Sequence, residues 1–99
     1  MLERNHSVQN YQELHAYVHA TLCESENLLP EQFVTQSRML MAKNQLCGIQ
    51  FSLHGLRNVR LGAIWTADQN VIYFYNARGE RDLKVKLDGR FSVEIAQSA

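Results

Sequence analysis

The sequence predicts an α+β domain: an N-terminal helix, with a short second helix after it, packed on a five-stranded antiparallel meander sheet. Three observations lead to this prediction. Apolar residues recur at helical spacing near the start, alternate with polar residues from Leu46 onward, and form runs separated only by short turns. Because a parallel connection needs roughly a dozen residues or more, runs this close pair antiparallel. All 99 residues are expected to form one domain, and a strongly coiled, barrel-like sheet is the alternative.

The first helix is predicted over residues 6–25, with Ser7 as its N-cap. One apolar stripe runs along it, formed by Tyr11, Leu14, Val18 and Leu22. The next segment is harder to interpret. Pro30 followed by Glu31 is typical of a first helical turn, which favours a helix over residues 30–37 and leaves residues 38–44 open between helix and strand.

Five strands are predicted after this segment. The first alternates Cys47, Ile49, Phe51 and Leu53 with polar residues, which directs Cys47 toward the core. The next two form a hairpin over residues 59–76. A turn at residues 76–79, with Gly79 in a left-handed conformation, leads to the fourth strand at residues 82–87. Asp88 and Gly89 are typical of a tight hairpin turn into a fifth strand at residues 91–96. Gly62, inside a strand, is expected to mark a bulge or a close approach.

The hairpin at residues 59–76 forms the centre of the predicted sheet. A four-residue loop at residues 67–70 pairs Thr66 with Val71 and Trp65 with Ile72, and alternation then sorts the side chains onto two faces. The set predicted to face the helix is Leu61, Ala63, Trp65, Ile72 and Phe74. The set predicted to face outward is Ile64, Val71, Tyr73 and Tyr75. A slip of one residue would exchange the two sets.

Composition and charge restrict the classes of function. The formal net charge is zero, with ten basic and ten acidic residues, which argues against strong non-specific attraction to nucleic acid or anionic membrane. No signal-peptide pattern and no membrane-length apolar run is seen, so a cytoplasmic protein is expected. Two cysteines are too few for a disulfide framework. Free thiols are the simpler interpretation of Cys23 and Cys47, and a single bridge between them is the alternative.

His15, His19 and Cys23 recur every four residues along the predicted helix and are candidate metal ligands. Imidazole and thiolate groups at this spacing bind Zn²⁺, but His15 and Cys23 lie about 12 Å apart along the axis by helix rise, too far for one ion. The missing ligands would have to come from Glu26, Cys47 or His54, and no CxxC or HExxH motif supports such a site. The favoured interpretation is histidines at a helix–sheet boundary beside a buried thiol.

Nucleophilic chemistry has equally little support. Cys47 with one of His15, His19 or His54 would make a Cys–His pair, but a thiol directed into the core is a poor nucleophile. No phosphate-binding glycine loop, Ser-His-Asp order or carboxylate pair stands out. The sequence therefore predicts no catalytic residue, no metal, no cofactor and no enzyme.

The remaining candidate is the outer face of the sheet, where tyrosines lie among cations. Its expected polar members include Gln50, Ser52, His54, Ser92 and Glu94. The residues expected to bind a partner are Arg60, Ile64, Tyr73, Tyr75, Lys84 and Lys86. The function expected from this face is that of a small intracellular interaction module that self-associates or docks on another protein. Single-stranded nucleic-acid binding on the same face is the alternative.

Overall fold

The structure is a computed structural model that describes residues 1–90 of the 99. Its described part contains one helix, six strands and two single turns of 3-10 helix. The helix and strands are β1 (Leu2–Ser7), α1 (Tyr11–Ser25), β2 (Thr35–Ala42), β3 (Gln45–His54), β4 (Arg60–Thr66), β5 (Val71–Tyr75) and β6 (Arg81–Asp88). The 3-10 turns are Pro30–Gln32 and Leu56–Asn58. The predicted strand at residues 91–96 lies outside the described residues.

The strands form one mixed sheet in the order β1-β6-β5-β4-β3-β2. Strands β2 to β6 are an antiparallel meander, and β1 pairs in parallel with β6, with Leu2 opposite Leu83 and Ser7 opposite Asp88. The α+β class is confirmed, but the prediction of a five-stranded, fully antiparallel sheet is wrong. Within residues 1–90 the sheet is open, with β1 and β2 at its edges.

The start of the chain differs from the prediction. Residues Leu2–Ser7 form a strand, and the helix begins at Tyr11, after the N-cap Asn10. The Glu13 backbone amide donates to Asn10 Oδ1 at 2.9 Å, and the Glu13 carboxylate accepts from the Gln9 amide at 3.0 Å. The first bond satisfies a donor that the helix N-terminus leaves without an intrahelical partner, and the second ties the residue before the N-cap to the first turn. The prediction of Ser7 as the N-cap is therefore wrong.

The segment at residues 30–44 also differs from the prediction. The helical start at Pro30 is confirmed for one 3-10 turn, but the chain then enters β2, and the predicted helix over residues 30–37 is wrong. Residues 38–44, which the sequence left open, complete β2 and its turn. Lys43 and Asn44 both have positive φ values, which the two-residue turn of a β-hairpin requires.

The central hairpin is confirmed residue by residue. Thr66 pairs with Val71, Trp65 with Ile72 and Ile64 with Tyr73. The inner face of β3, β4 and β5 packs against the stripe of α1 in a single core. The buried members of that core include Leu14, Val18, Leu22, Ile49, Phe51, Leu53, Leu61, Trp65, Ile72, Phe74 and Val85. Because α1 covers this face, the opposite face of the sheet is the one that no other helix or strand of residues 1–90 covers.

Candidate functional site

The six residues predicted to bind a partner lie together on the outer face of the sheet. Ile64 is half-buried and lies between Gln50 of β3 and Tyr73 of β5. The others continue this face along the three strands β4, β5 and β6. Arg60 and Lys86 are exposed, while Tyr73, Tyr75 and Lys84 are half-buried. The predicted outer residues Gln50, Ser52 and His54 share this face, whereas Ser92 and Glu94 lie outside the described residues.

Three of these side chains form a cluster around Arg81, a residue that is not among the six predicted ones. The Arg81 guanidinium carbon lies 4.0 Å from the centroid of the Tyr73 ring and 5.4 Å from that of Tyr75. Its Nε and one terminal nitrogen donate to the Tyr75 hydroxyl at 3.2 and 2.7 Å. The Lys84 ammonium lies 5.9 Å from the Tyr73 ring. The tyrosines and cations therefore form a contact-linked group, here called the Arg81 cluster.

A β-bulge explains why Arg81 belongs to the outer face. The β5–β6 register shifts between Phe74 and Tyr75, so Arg81 rather than Asp82 lies opposite Tyr75. Uninterrupted alternation from Leu83 would place Asp82 on the outer face. The structure instead places Asp82 at a cavity beside Leu22, near the end of α1. The bulge exchanges a carboxylate for a guanidinium and so changes the charge of the site.

Charge is distributed unevenly over the molecule. By strand register, the basic residues of the outer face are Arg38, Arg60, Arg81, Lys84 and Lys86. The acidic residues assigned to that face by register are Glu3, on the edge strand β1, and Asp88, at the end of β6. Because the formal net charge of the whole chain is zero, the net positive charge of this face is balanced by net negative charge elsewhere in the chain. Such a local field attracts anionic groups even where the whole chain is neutral.

A depression of about 520 Å³ opens on the outer face at Gly62. Its lining includes Ser52, Arg60, Ile64 and Tyr75, together with the loop at residues 76–79. A smaller cavity of about 230 Å³ lies beside the end of α1, where Arg4, Glu24 and Asp82 contribute charges of both signs. The mixed charges of the second cavity indicate no particular ligand, whereas the first adjoins the Arg81 cluster.

The helix histidines have structural partners. His15 Nε2 donates to the Thr35 carbonyl at 2.8 Å, and His19 Nε2 donates to the Pro30 carbonyl at 2.9 Å. His19 Nδ1 lies 2.7 Å from the Thr35 hydroxyl. These bonds fasten the start of β2 and the turn before it to α1. Within residues 1–90, no group of three or more His, Cys, Asp or Glu side chains is placed to hold a metal ion.

The two cysteines are free and differ in environment. Cys23 is buried, with its sulfur 3.7 Å from His19 Nε2. Burial raises the pKa of the Cys23 thiol, and the negative charge of Glu31 raises it further. Cys47 is exposed, so its predicted direction toward the core is wrong. Its neighbours Leu46 and Gly48 pair with consecutive residues of β2, which leaves Cys47 as the extra residue of a bulge.

We expect a soluble maleimide to modify one thiol per native chain quickly at neutral pH. The reactive thiol is Cys47, because it is exposed, whereas Cys23 is buried and its raised pKa keeps it protonated. Intact-mass measurement during labelling checks this expectation. Cys47→Ser should remove the fast phase, and denaturant should restore one reactive thiol to that variant. Two equally fast phases in the native protein would contradict the buried position of Cys23.

Compared with protein-family models, with curated proteins and with solved structures, the chain matches none. No helix in residues 1–90 is both long and apolar enough to cross a membrane.

Proposed function

We propose that this protein is a non-catalytic interaction module whose outer sheet face docks on a protein partner. The observation that carries the proposal is the Arg81 cluster, in which two half-exposed tyrosines and an arginine are already held together by hydrogen bonds and ring contacts. Tyrosine and arginine are among the residue types enriched at the positions that contribute most binding energy in protein interfaces. A group ordered before binding loses less side-chain entropy when the partner arrives.

Charge favours a different protein over a second copy of this chain as the partner. A two-fold dimer brings the same patch of both subunits together. On this face that would bring the Arg81, Lys84 and Lys86 groups of the two copies close to one another, and like charges at a shared interface repel. A partner with an acidic surface gains from the same charges.

Single-stranded nucleic acid is the second candidate, favoured by the excess of cations on the outer face. One contact weighs against it. The Arg81 guanidinium lies over the Tyr73 ring at 4.0 Å, so one of the two ring faces on which a base could stack is already occupied. Ionic strength separates the two candidates, because phosphate contacts weaken steeply with added salt.

The free thiols indicate the kind of cellular compartment in which the protein resides. Both cysteines are unpaired, and Cys47 is exposed. An exposed free thiol persists in a reducing compartment, which supports the proposal of a cytoplasmic protein.

Replacing Tyr73 and Tyr75 together by alanine should weaken partner binding by about thirtyfold or more, since interface residues of this type often contribute about 2 kcal/mol or more. The free energy of unfolding should fall by only about 1–2 kcal/mol, because both rings are half-exposed and their contacts with Arg81 are worth about 0.5–1 kcal/mol each. Quantitative affinity capture with wild-type and variant chains identifies the partner, and calorimetric titration of that partner measures the loss.

The control variant replaces Glu26 and Gln32 by alanine, because both residues are exposed and lie outside the sheet. It should bind the partner as the wild type does. Light scattering during size-exclusion chromatography, over a range of concentration and salt, tests the choice of partner and should show a monomer. A dimer that the tyrosine substitutions dissociate would show that a second copy occupies the face. An equal affinity of wild type and double variant would refute the proposed interface.

A further inference from the structure

The depression at Gly62 exists because a residue in the middle of a strand lacks a side chain. Gly62 lies between Ser52 of β3 and Tyr75 of β5 on the outer face. A Cβ atom built there would come within 4 Å of the Phe51 carbonyl oxygen alone, at 3.4 Å. A larger residue therefore fits at this position, and the absence of one leaves a hollow beside the Arg81 cluster.

One wall of the depression is a loop held by Asn76. The Asn76 side-chain oxygen accepts hydrogen bonds from the backbone amides of Arg78 and Glu80, at 2.9 and 3.0 Å. Gly79 supplies the left-handed conformation, with a φ of +79°, that closes the loop. The loop is therefore built from local hydrogen bonds, and it holds Arg78 at the rim of the depression.

The charges around the depression have one sign. Its described lining includes Arg60 and Arg78 and contains no aspartate or glutamate. Glu80, two residues beyond Arg78, has its carboxylate 3.5 Å from the Asn76 side-chain nitrogen. The lining also offers the Ser52 hydroxyl and an apolar surface at Ile64 and Ala77. An anionic group beside an apolar body matches this combination.

We propose that the depression binds an acidic side chain of the protein partner, with an apolar neighbour of that residue lying against Ile64. This inference rests on the proposed function, because it assigns the chemistry of the partner at one point of the same face. Arginine suits the role, since its planar group donates two parallel hydrogen bonds to a carboxylate. The charge complementarity between two guanidinium groups and a carboxylate selects this partner over a basic one.

The test uses the full chain and two blocked tetrapeptides, one with phenylalanine next to glutamate and the other with glutamine in place of the glutamate. Amide chemical shifts of the ¹⁵N-labelled protein should change at Gly62, Ser52 and Gly79 with the glutamate peptide. The glutamine peptide should bind about tenfold more weakly, because each charge-assisted hydrogen bond adds roughly that factor. Arg60→Gln and Arg78→Gln should each cause a similar loss.

Two further variants separate binding from folding. Gly62→Val fills the depression with a residue that suits a strand, so it should abolish the shift changes and leave the melting temperature close to that of wild type. Arg38→Gln, on the same face but outside the lining of the depression, should leave peptide binding unchanged. Equal affinities for the two peptides, or an equal loss in the Arg38 variant, would overturn the inference.

An oligodeoxythymidylate is the competing probe. If it changes the same shifts at lower concentration than the glutamate peptide, the site takes phosphate and the inference is wrong. The proposed function can fail separately. If Gly62→Val binds the captured partner as the wild type does while the tyrosine variant does not, the interface stands and the role of the depression is refuted. If the depression binds the glutamate peptide, but the depression variants and the tyrosine variant all capture the partner as the wild type does, the proposed function fails.

Discussion

Replacing Gly48 by alanine is expected to lower the free energy of unfolding by about 2–3 kcal/mol, as in other cases where added atoms force the backbone to move. A Cβ atom at Gly48 would lie 2.4 Å from the backbone carbonyl oxygen of Trp65, well inside van der Waals contact. That oxygen belongs to β4, so the clash is relieved only when β3 and β4 separate. The melting temperature should fall by roughly 10–20 °C for a domain of this size.

Gly62→Ala is the matched control for this prediction. Both glycines lie in strands, neither has a positive φ, and the two residues belong to adjacent strands of the same sheet. The Cβ at Gly62 would be 3.4 Å from its nearest neighbour, so the change should alter the free energy of unfolding by less than about 1 kcal/mol. Thermal unfolding of the two variants gives the comparison. Equal melting temperatures would show that the contact at Trp65 is not what limits residue 48.

The two glycines also show what the sequence alone does not predict about a glycine in a strand. Gly62 was predicted to mark a bulge or a close approach, yet β3 and β4 pair continuously there and space is open above it. Gly48 is the glycine that lies beside a bulge, at Cys47, and that approaches another backbone closely, at the Trp65 carbonyl oxygen. A glycine in a strand pattern indicates that something unusual is present. Only the neighbouring strand shows whether it is a contact or a hollow.

The central hairpin could be predicted because its information is local. Alternation and the length of the loop at residues 67–70 together determine the register, and all the pairs from Ala63 to Thr66 are confirmed. The same register correctly assigned Ile64, Tyr73 and Tyr75 to the outer face. Arg81 was not predicted on this face because a bulge shifts the β5–β6 register between Phe74 and Tyr75. The alternation of apolar and polar residues does not indicate where a bulge lies.

The edge strands escaped prediction for a different reason. Strand β1 pairs with β6, and the paired residues are about 80 positions apart in the sequence. All but one of the β1 residues are exposed, so burial imposes no alternating apolar pattern on this strand. Strand β2 turns Thr35 and Ser37 toward α1, where they contact His19 and Tyr11 through hydrogen bonds. Polar contacts there replace the apolar alternation that identifies a strand, which left the helical start at Pro30 as the strongest local signal.

Asn70 is the residue at which a local signal and a distant contact coincide. Its φ of +55° suits the turn of the central hairpin, which is why a polar turn could be predicted there. Its burial was not predictable: only 6% of its surface is exposed. The side-chain oxygen accepts from Trp65 Nε1 at 3.0 Å, and the side-chain nitrogen donates to the carbonyls of Leu87 and Gly89. Asn70 therefore joins the hairpin turn to the end of β6.

Asn70→Gly should lower the free energy of unfolding by about 2–3 kcal/mol, because it removes three side-chain hydrogen bonds, two of them buried, and keeps the positive φ accessible. Asn70→Ala should cost about 1 kcal/mol more, since alanine also opposes the left-handed conformation. Urea unfolding followed by the fluorescence of Trp65, the only tryptophan, measures both losses. If the glycine variant is as stable as wild type, the side-chain bonds contribute nothing to folding. If the two variants are equally stable, the strain at residue 70 is negligible and the bonds alone account for the loss.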